Sequence, residues 1–369
     1  MRIRRSTLWL AVVLTALLTV GLLAPGSTRA DEAKRHFLVT AGVALGLSVL
    51  EVHSDGRLTP VPGSPFRTGF GVLSVTAAPD GKTVYVPRAD GHVSVYRVAS
   101  NGALRSVQTL GVGFPTTGAR VAPNGRYLYV LKSGLPGRVE SFRIRKDGTL
   151  APTGHRAAPI DGLGLGMVNM SSIDPDGRFL RATTYIGVGL TSFRLGPNGE
   201  VTRIAADTVG LGPVAPVTTP NGKYLYSSDE FAFGLSGFRV NRDGTLTRLP
   251  GGRYPTHGVP HGAVVTPDGR RLYVPNAVGT SISAFSIHRN GRLTPLPGSP
   301  YPGPGWTLPG QVALHPNGRF LYNIDCLTGR VTTRVHTYRI HPNGSLSRTA
   351  RPSVDTGVVM SDGPVVALI

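Results

Sequence analysis

The sequence predicts an all-β fold built from repeated four-stranded sheets, because two short motifs alternate along almost its whole length. The first motif is a Pro-Asp-Gly or Pro-Asn-Gly turn followed by a short apolar strand. It begins six times, at Pro79, Pro123, Pro175, Pro220, Pro267 and Pro316. The second motif is an apolar strand that ends near an aromatic residue and is followed by a glycine turn and another strand. It occurs seven times, with turn glycines Gly56, Gly102, Gly148, Gly199, Gly244, Gly291 and Gly344.

Local physical chemistry explains both motifs as hairpins. Asn-Gly and Asp-Gly supply the positive φ angles that tight turns require. The flanking runs are β-branched or aromatic and four to seven residues long, which suits strands, and no window after residue 30 keeps a helical period. The first motif recurs every 44 to 52 residues. An all-β repeat of this length indicates a β-propeller, in which each four-stranded blade buries its faces against its neighbours.

The two ends of the chain complete the seventh blade. Residues 36–40 (HFLVT) match the second strand of a blade, but no inner strand precedes them. Residues 363–369 (GPVVALI) match an inner strand with nothing after it. We therefore predict a seven-bladed β-propeller in which the C-terminal strand is the innermost strand of the first blade. This exchange closes the ring and leaves no free sheet edge at the closure.

The N-terminus has the pattern of a secretory signal peptide. A basic start (MRIRR) precedes an apolar run at 8–24, and small residues before position 31 form an A-x-A-like cleavage site. An uncleaved anchor is the alternative, but seventeen apolar residues are fewer than the roughly 20 that span a bilayer. Arg4-Arg5 also fits a twin-arginine export signal. We predict a signal peptide at 1–30, one domain at 31–369, and a secreted or extracytoplasmic protein with no transmembrane segment after cleavage.

Charge and cysteine content limit the partners. The formal charge is +19, and it becomes +15 without residues 1–30, when 35 basic residues face 20 acidic ones. In an exported protein this charge favours polyanionic partners such as wall polymers, anionic lipid surfaces or acidic ligands and argues against nucleic acid, although it also serves simply to keep a surface solvated. Cys326 is the only cysteine, so no intrachain disulfide can form. We expect a monomer that needs no cofactor.

The candidate site residues lie on one predicted face. With strands named A to D from the channel outward, both stereotyped turns of every blade fall on one face, and the variable B–C and D–A connections fall on the other. Variable loops on a rigid repeat scaffold usually carry the binding site. Glu230 is the candidate catalytic residue there. The candidate ligand-binding residues are Arg120, Lys132, Asn169, Asp229, His261, Asn276, Gln311 and Asp325.

Some of these loop-face residues also have a structural interpretation. His257 and His261 are four residues apart, but the glycine and proline between them argue against a helix, so we predict no metal site and leave His261 either in a pocket or packed in its loop. Asp229 is expected to be a turn residue that bonds local amides. Cys326 has no evident base nearby and is not expected to be a nucleophile. The sequence has no G-x-S-x-G, H-E-x-x-H or Walker motif.

Three segments resemble a known family. They are LTPVPGSPF at 58–66, its echo LTPLPGSPY at 293–301, and GPVAPVTTPNGKYLYSSDE at 212–230. With these segments and the repeated turn–strand units, the chain resembles the seven-bladed β-propeller lactonase family, which includes 6-phosphogluconolactonases, and it is similar to carboxymuconate cyclases. The resemblance covers essentially all of residues 31–369. It implies chemistry on a lactone, with an acid at Glu230.

The chain departs from this family at the other positions that the resemblance makes catalytic. It has Asn169 where the family has a histidine, Val214 where the family has an arginine, and Ala277 where the family has a second arginine. Lactone hydrolysis needs an acid–base group together with positive charge on a carboxylate or oxyanion. Glu230 alone cannot do both.

Two functions therefore remain open from the sequence. In the first, the loop face binds a small anionic, sugar-like or wall-polymer ligand, or a protein partner. In the second, the chain is an extracytoplasmic lactonase in which Glu230 is the acid–base group and His261, Arg120 or Lys132 supplies positive charge from a neighbouring blade. A purely structural module is the third interpretation, since a fold does not determine chemistry.

Overall fold

The fold is a ring of seven antiparallel sheets. The computed structural model describes residues 35–72, 74–160, 170–305, 307–361 and 367–368, and the predicted signal peptide lies outside these ranges. The described residues form one compact unit within Arg35–Ile369. They contain seven sheets of four or five strands, so the predicted seven-bladed β-propeller is confirmed.

The inner two strands of each blade are as follows, taken from the first blade to the seventh. The A strands are β31 (Ala367–Leu368), β4 (Thr76–Ala77), β8 (Thr116–Val121), β13 (Ser171–Ile173), β17 (Pro213–Thr218), β21 (Val264–Val265) and β26 (Thr307–Leu314). The B strands are β1 (His36–Gly42), β5 (Thr83–Arg88), β9 (Tyr127–Lys132), β14 (Phe179–Thr183), β18 (Tyr224–Asp229), β22 (Arg271–Asn276) and β27 (Phe320–Thr328).

The outer strands follow in the same order. The C strands are β2 (Gly46–Val52), β6 (His92–Val98), β10 (Gly137–Ile144), β15 (Gly189–Leu195), β19 (Gly234–Val240), β23 (Ser281–Ile287) and β28 (Arg334–Ile340). The D strands are β3 (Leu58–Pro60), β7 (Leu104–Gly111), β11 (Leu150–Pro152), β16 (Val201–Thr208), β20 (Leu246–Pro255), β24 (Leu293–Pro295) and β29 (Leu346–Arg348). Three blades gain a fifth short strand beside strand C, namely β12 (Ala158–Ile160), β25 (Tyr301–Pro302) and β30 (Val354–Asp355).

The chain ends meet in the first blade, as the unpaired motifs predict. Strand β31 pairs with β1, with Leu368 opposite Leu38 and Ala367 opposite Val39. A hydrophobic cluster joins the seventh blade to the first and includes Leu38, Phe320 and Tyr322. The described residues contain seven such clusters, one at each junction between neighbouring blades. Each blade therefore buries its faces on two neighbours, and the seventh junction closes the ring.

A repeated hydrogen bond ties one blade to the next. The buried tyrosine in the middle of a B strand donates its hydroxyl to the carbonyl of the turn glycine in the following blade. The pairs are Tyr85 with Gly148, Tyr226 with Gly291, Tyr273 with Gly344 and Tyr322 with Gly56, at 2.6 to 3.3 Å. At each of these four junctions, the tyrosine of the first motif is therefore hydrogen-bonded to the turn glycine of the second motif in the next blade.

The turns that the sequence predicts are stabilised by their own Asp or Asn. In twelve A–B and C–D turns of the described chain, the side-chain Oδ1 accepts a hydrogen bond from the backbone N–H two residues later, which is the bond expected of an Asx turn. These residues are Asp55, Asp80, Asn101, Asn124, Asp147, Asp176, Asn221, Asp243, Asp268, Asn290, Asn317 and Asn343. The face they form is called the turn face below, and the opposite face is called the loop face.

Candidate functional site

Glu230 lies on the loop face, where the fifth blade leaves strand B. Strand β18 ends at Asp229, and Glu230–Ala232 form one short 3-10 turn before strand C begins. The turn is closed by Phe233, which has a positive φ of 49°. The Glu230 backbone N–H donates to the Gly212 carbonyl at 3.1 Å, which holds this turn against the D–A connection of its own blade. Local hydrogen bonds therefore position the carboxylate.

Glu230 contacts His261 of the sixth blade. The ring nitrogen Nδ1 of His261 donates to the Glu230 carboxylate oxygen Oε1. Both residues are buried, with 3% of Glu230 and 9% of His261 exposed. The His261 backbone N–H donates to the Pro275 carbonyl at 3.0 Å, so the imidazole is held by its own blade. The pair crosses the junction between two blades and forms a hydrogen-bonded carboxylate–imidazole pair with little access to water.

Gln311 brings a third blade to this site. A side chain at Gly262, next to His261, would place its Cβ 2.7 Å from the Gly310 carbonyl oxygen and 3.1 Å from Gln311 Oε1. Only glycine fits this close approach. The Gln311 side chain is buried, and its Nε2 has no hydrogen-bond partner among the described residues. An amide N–H donor without a partner is costly to bury, which makes it a candidate ligand contact.

Asp229 bonds to the next strand of its own blade, which corrects the expectation drawn from the sequence. It is the last residue of β18, and its Oδ2 accepts a hydrogen bond of 2.6 Å from the Ser236 hydroxyl in the next strand. Its Oδ1 has no partner among the described residues, so the prediction that Asp229 bonds local amides is wrong. The reason is that strand β18 continues through Asp229, so that the turn begins only at Glu230. Burial raises the pKa of the Asp229 carboxyl to about 6.

Asp325 and Asn276 occupy equivalent repeat positions in the B strands of the seventh and sixth blades, nine residues after Pro316 and Pro267. Asp325 Oδ2 accepts a hydrogen bond of 2.8 Å from His336 Nε2, and burial raises the pKa of the Asp325 carboxyl above its usual value. Asn276 donates to the hydroxyls of Ser281 and Ser283, each at 3.0 Å. Each of these partners lies within the same blade. The sequence analysis did not single out His336, because its pairing with Asp325 depends on the register of β27 and β28.

The positively charged candidates are held elsewhere. Lys132 Nζ forms an ion pair of 2.6 Å with Glu140 in its own blade. Arg120 Nε donates to the Ser171 carbonyl at 2.8 Å, which joins the A strands of the third and fourth blades. Burial lowers the pKa of Arg120 to about 10. Asn169 lies outside the described residues. Neither Lys132 nor Arg120 has an ion pair with Glu230 in the described structure.

The remaining histidines and Cys326 have local roles. His53, His288 and His341 each contact through Nε2 a hydroxyl six residues later and so bridge a C–D turn. His257 Nδ1 contacts the Ser281 hydroxyl at 3.2 Å. Cys326 Sγ donates to the Leu308 carbonyl at 3.3 Å. Within the described ranges, no three His, Cys, Asp or Glu side chains are arranged to hold a metal ion.

Comparison with known proteins assigns the family. A family model described as lactonase, 7-bladed beta-propeller, matches residues 84–356. The chain belongs to this family. A 6-phosphogluconolactonase of Yersinia pseudotuberculosis is 26% identical over 206 residues, which are 52% of this chain and 59% of that protein. One from Pectobacterium carotovorum is 28% identical over 176 residues, or 45% and 49% of the two chains. The matches thus span about half the length of these curated relatives.

Solved structures show the same fold. The periplasmic gluconolactonase of Pseudomonas aeruginosa has a TM-score of 0.73 and 20% identity, with 91% of this chain and 100% of that chain covered. A protein from Lactobacillus plantarum has a TM-score of 0.76 and 16% identity, with 91% and 99% covered. At such identities the likeness concerns the lactonase propeller fold alone.

Two departures from the family pattern are visible in the structure. Val214 and Ala277, which stand where the resemblance implies arginines, are both buried. Neither side chain carries charge or a hydrogen-bonding group, so these two positions supply no cation on this lactonase-family chain. Glu230, His261 and Gln311 are the candidates that the structure brings together.

Proposed function

We propose that the loop face of this lactonase-family propeller binds a small sugar-like ligand at Glu230, His261 and Gln311. The observation that carries the proposal is the buried Glu230–His261 contact together with the Gln311 amide. Its Oε1 lies 3.1 Å from a Cβ built at Gly262, next to His261, and its Nε2 has no partner among the described residues. Such a set offers a carboxylate acceptor, an imidazole and an N–H donor from three consecutive blades. Sugar hydroxyls both donate and accept, so they suit this mixture of groups.

The charges of the described residues favour a hydroxyl-rich ligand over a strongly anionic one at this place. The Glu230 carboxylate is itself negative, and its described side-chain partner is an imidazole. Lys132 is neutralised by Glu140, and Arg120 is bound to backbone carbonyls. Phosphate and carboxylate groups are usually bound by Arg and Lys. The small anionic and wall-polymer ligands that the sequence leaves open are therefore less well supported here.

The proposal is tested by calorimetric titration of the mature protein with a panel of neutral mono- and disaccharides and D-glucono-1,5-lactone. For the ligand that binds, Glu230→Gln and His261→Asn should each weaken binding at least tenfold. Glu200→Gln is a matched control, because Glu200 lies near His155 in a partly exposed pair on the turn face. Binding by no member of the panel, or equal binding by Glu230→Gln, would contradict the proposal.

The second candidate function is lactone hydrolysis, and the same contact favours it. Glu230, oriented by His261, would take the proton of a water whose oxygen bonds to the lactone carbonyl carbon. The ring C–O bond then breaks, and the proton passes to the leaving oxygen. The Gln311 N–H is the described group that would stabilise the oxyanion.

Turnover separates the two candidates. If the protein is a lactonase, hydrolysis of D-glucono-1,5-lactone or 6-phosphogluconolactone exceeds the uncatalysed rate, and Glu230→Gln lowers kcat by ~10²-fold or more with an unchanged melting temperature. If the variant keeps the wild-type rate, Glu230 is not the base. If the wild type binds sugars and turns over neither lactone, the binding function stands alone.

We also propose that the chain is exported and cleaved after Ala30. The support is the basic start and apolar run of residues 1–30, together with the strongly basic charge of the rest. The described residues contain no helix long and apolar enough to cross a membrane. Mass spectrometry of the protein recovered outside the cytoplasm should find Asp31 as the first residue, and an intact N-terminus would contradict this.

A further inference from the structure

The turn face carries a ring of basic side chains. In each of the six turns that join strands A and B, the residue after the glycine is Lys or Arg and is exposed. These residues are Lys82, Arg126, Arg178, Lys223, Arg270 and Arg319. Because the six turns are equivalent in sequence and hydrogen bonding, the six cations stand at equivalent positions around the propeller. The repeat therefore places one such positive charge on the same face in six of the seven blades.

A second set of arginines lies beside the first. In five blades, an arginine near the end of strand C is directly opposite the first residue of strand B, next to the turn. These residues are Arg97, Arg143, Arg194, Arg239 and Arg339, opposite Thr83, Tyr127, Phe179, Tyr224 and Phe320. Five of the seven blades thus present two neighbouring cations on the turn face.

Acidic residues do not cancel this charge. Three of the six A–B turns contain Asp, at Asp80, Asp176 and Asp268, and the other three contain Asn. Each of the three carboxylates accepts the backbone N–H of its own turn, and Asp176 also pairs with Arg178. Against these three acids stand the eleven basic residues of the two sets. The C–D turns add six basic residues and four acidic ones, so the turn face keeps a positive excess.

The exposed apolar side chains lie on the other face. Twelve large hydrophobic residues of the described chain are exposed, and every one lies in a B–C or D–A connection or at a strand end beside one. They are Leu45, Phe70, Phe114, Leu135, Ile186, Leu211, Phe231, Phe233, Val278, Leu327, Val331 and Met360. The turn face therefore offers charge without apolar groups that could insert into a partner.

We propose that the turn face docks on the surface of an anionic lipid bilayer, with the loop-face site directed away from it. A ring of cations spread over six blades can meet a planar array of mobile anionic headgroups all at once. A linear polyanion would reach only the cations along its own path. Electrostatic attraction of Lys and Arg to anionic leaflets falls off within a Debye length, so the attachment is peripheral and sensitive to salt. Docking in this orientation leaves the ligand site open to solvent.

The test is vesicle co-sedimentation of the mature protein. Vesicles of phosphatidylcholine with about a third phosphatidylglycerol should bind it at 50 mM salt, and binding should fall at least tenfold at 300 mM salt, as expected for screened surface charge. Pure phosphatidylcholine vesicles should bind at background level. Equal binding to both vesicle types would overturn the proposal.

A matched pair of variants assigns the binding to one face. Lys82→Gln, Arg126→Gln, Lys223→Gln and Arg319→Gln together remove four turn-face charges. The control is a variant with four exposed loop-face arginines replaced by glutamine, namely Arg67, Arg138, Arg253 and Arg330. Both variants have the same net charge. We expect the first to bind anionic vesicles at least tenfold more weakly and the control to lose less than threefold.

Two further outcomes would overturn the proposal. One is an equal loss in both variants, which would show that net charge alone drives the binding. The other is tight binding of a long-chain polyphosphate probe with background binding to anionic vesicles, which would assign the turn face to a linear polyanion. The sugar-binding assay is independent, because neither variant alters Glu230, His261 or Gln311.

Discussion

At the scale of single residues, the adjacent acids Asp229 and Glu230 have different hydrogen-bond partners. Glu230 turns out of strand B and meets an imidazole from the next blade, whereas Asp229 stays in the strand and bonds to Ser236. The resemblance to lactonases pointed to Glu230, and His261 was named as one of three residues that could supply positive charge to it. The contact itself could not be predicted, because the two residues are 31 positions apart and meet only through blade packing.

The burial of Asp229 predicts a pH-dependent stability difference. Its folded-state pKa of about 6 is above the value of about 3.8 to 3.9 for an unfolded aspartate. Between these values the folded state holds more protons than the unfolded state, so stability falls as pH rises from about 4 to 6 and this contribution is constant above that range. Asp229→Asn removes the ionisation and can still accept the Ser236 hydroxyl.

The measurement is denaturant unfolding of wild type and Asp229→Asn from pH 4 to pH 7. The difference in the free energy of unfolding, Asp229→Asn minus wild type, should become more positive by ~2–3 kcal/mol as pH rises from 4 to 7. The variant thus becomes the relatively more stable protein at the higher pH. Parallel stability curves would show that the Asp229 carboxyl keeps an ordinary pKa.

At the scale of single elements, the glycines of the two repeated turns have different roles. Gly222, in an A–B turn, has a positive φ of 70°, and no atom lies within 4 Å of a Cβ built there. Gly291, in a C–D turn, has a positive φ of 82°, and a Cβ there would lie 2.4 Å from the ring of Tyr224 in the preceding blade. The pattern Asn-Gly predicts both turns, but only at Gly291, of these two glycines, would a Cβ meet a neighbouring blade.

This difference predicts unequal costs for the same substitution. Gly222→Ala should lower the free energy of unfolding by ~1 kcal/mol, since an L-residue is strained at positive φ. Gly291→Ala adds a steric clash to that strain and should cost ~2–4 kcal/mol in total. Thermal or denaturant unfolding of the two variants gives the comparison. Equal losses would mean that Tyr224 moves aside at no cost.

At the scale of the whole molecule, closure joins the two ends of the chain. The C-terminal strand β31 is the inner partner of β1, and the cluster at the last junction packs the seventh blade on the first. A β-propeller distributes its stability over contacts between neighbouring blades, so one open junction weakens the entire ring.

Removing residues 367–369 should therefore strongly destabilise the ring, because β1 loses its inner partner and exposes an unpaired edge. We expect a melting temperature at least about 10 °C lower, together with aggregation at this edge. Tyr322→Phe is a milder comparison at the same junction, since it removes only the hydroxyl that donates to the Gly56 carbonyl, at a cost of ~1 kcal/mol. A truncated protein that melts like the wild type would contradict the strand exchange.

Local repetition was sufficient to predict the strands, the turns, the number of blades and the closure by the C-terminal strand. Each of these depends on a short pattern whose physical cause is local, such as the positive φ of Asn-Gly or the alternation of a half-buried strand. Only the packed ring determines that Glu230 meets His261 and that Gln311 keeps an amide N–H without a described partner. These features join residues from different blades, and their distances depend on how whole sheets pack, for which a single sequence carries no local signal.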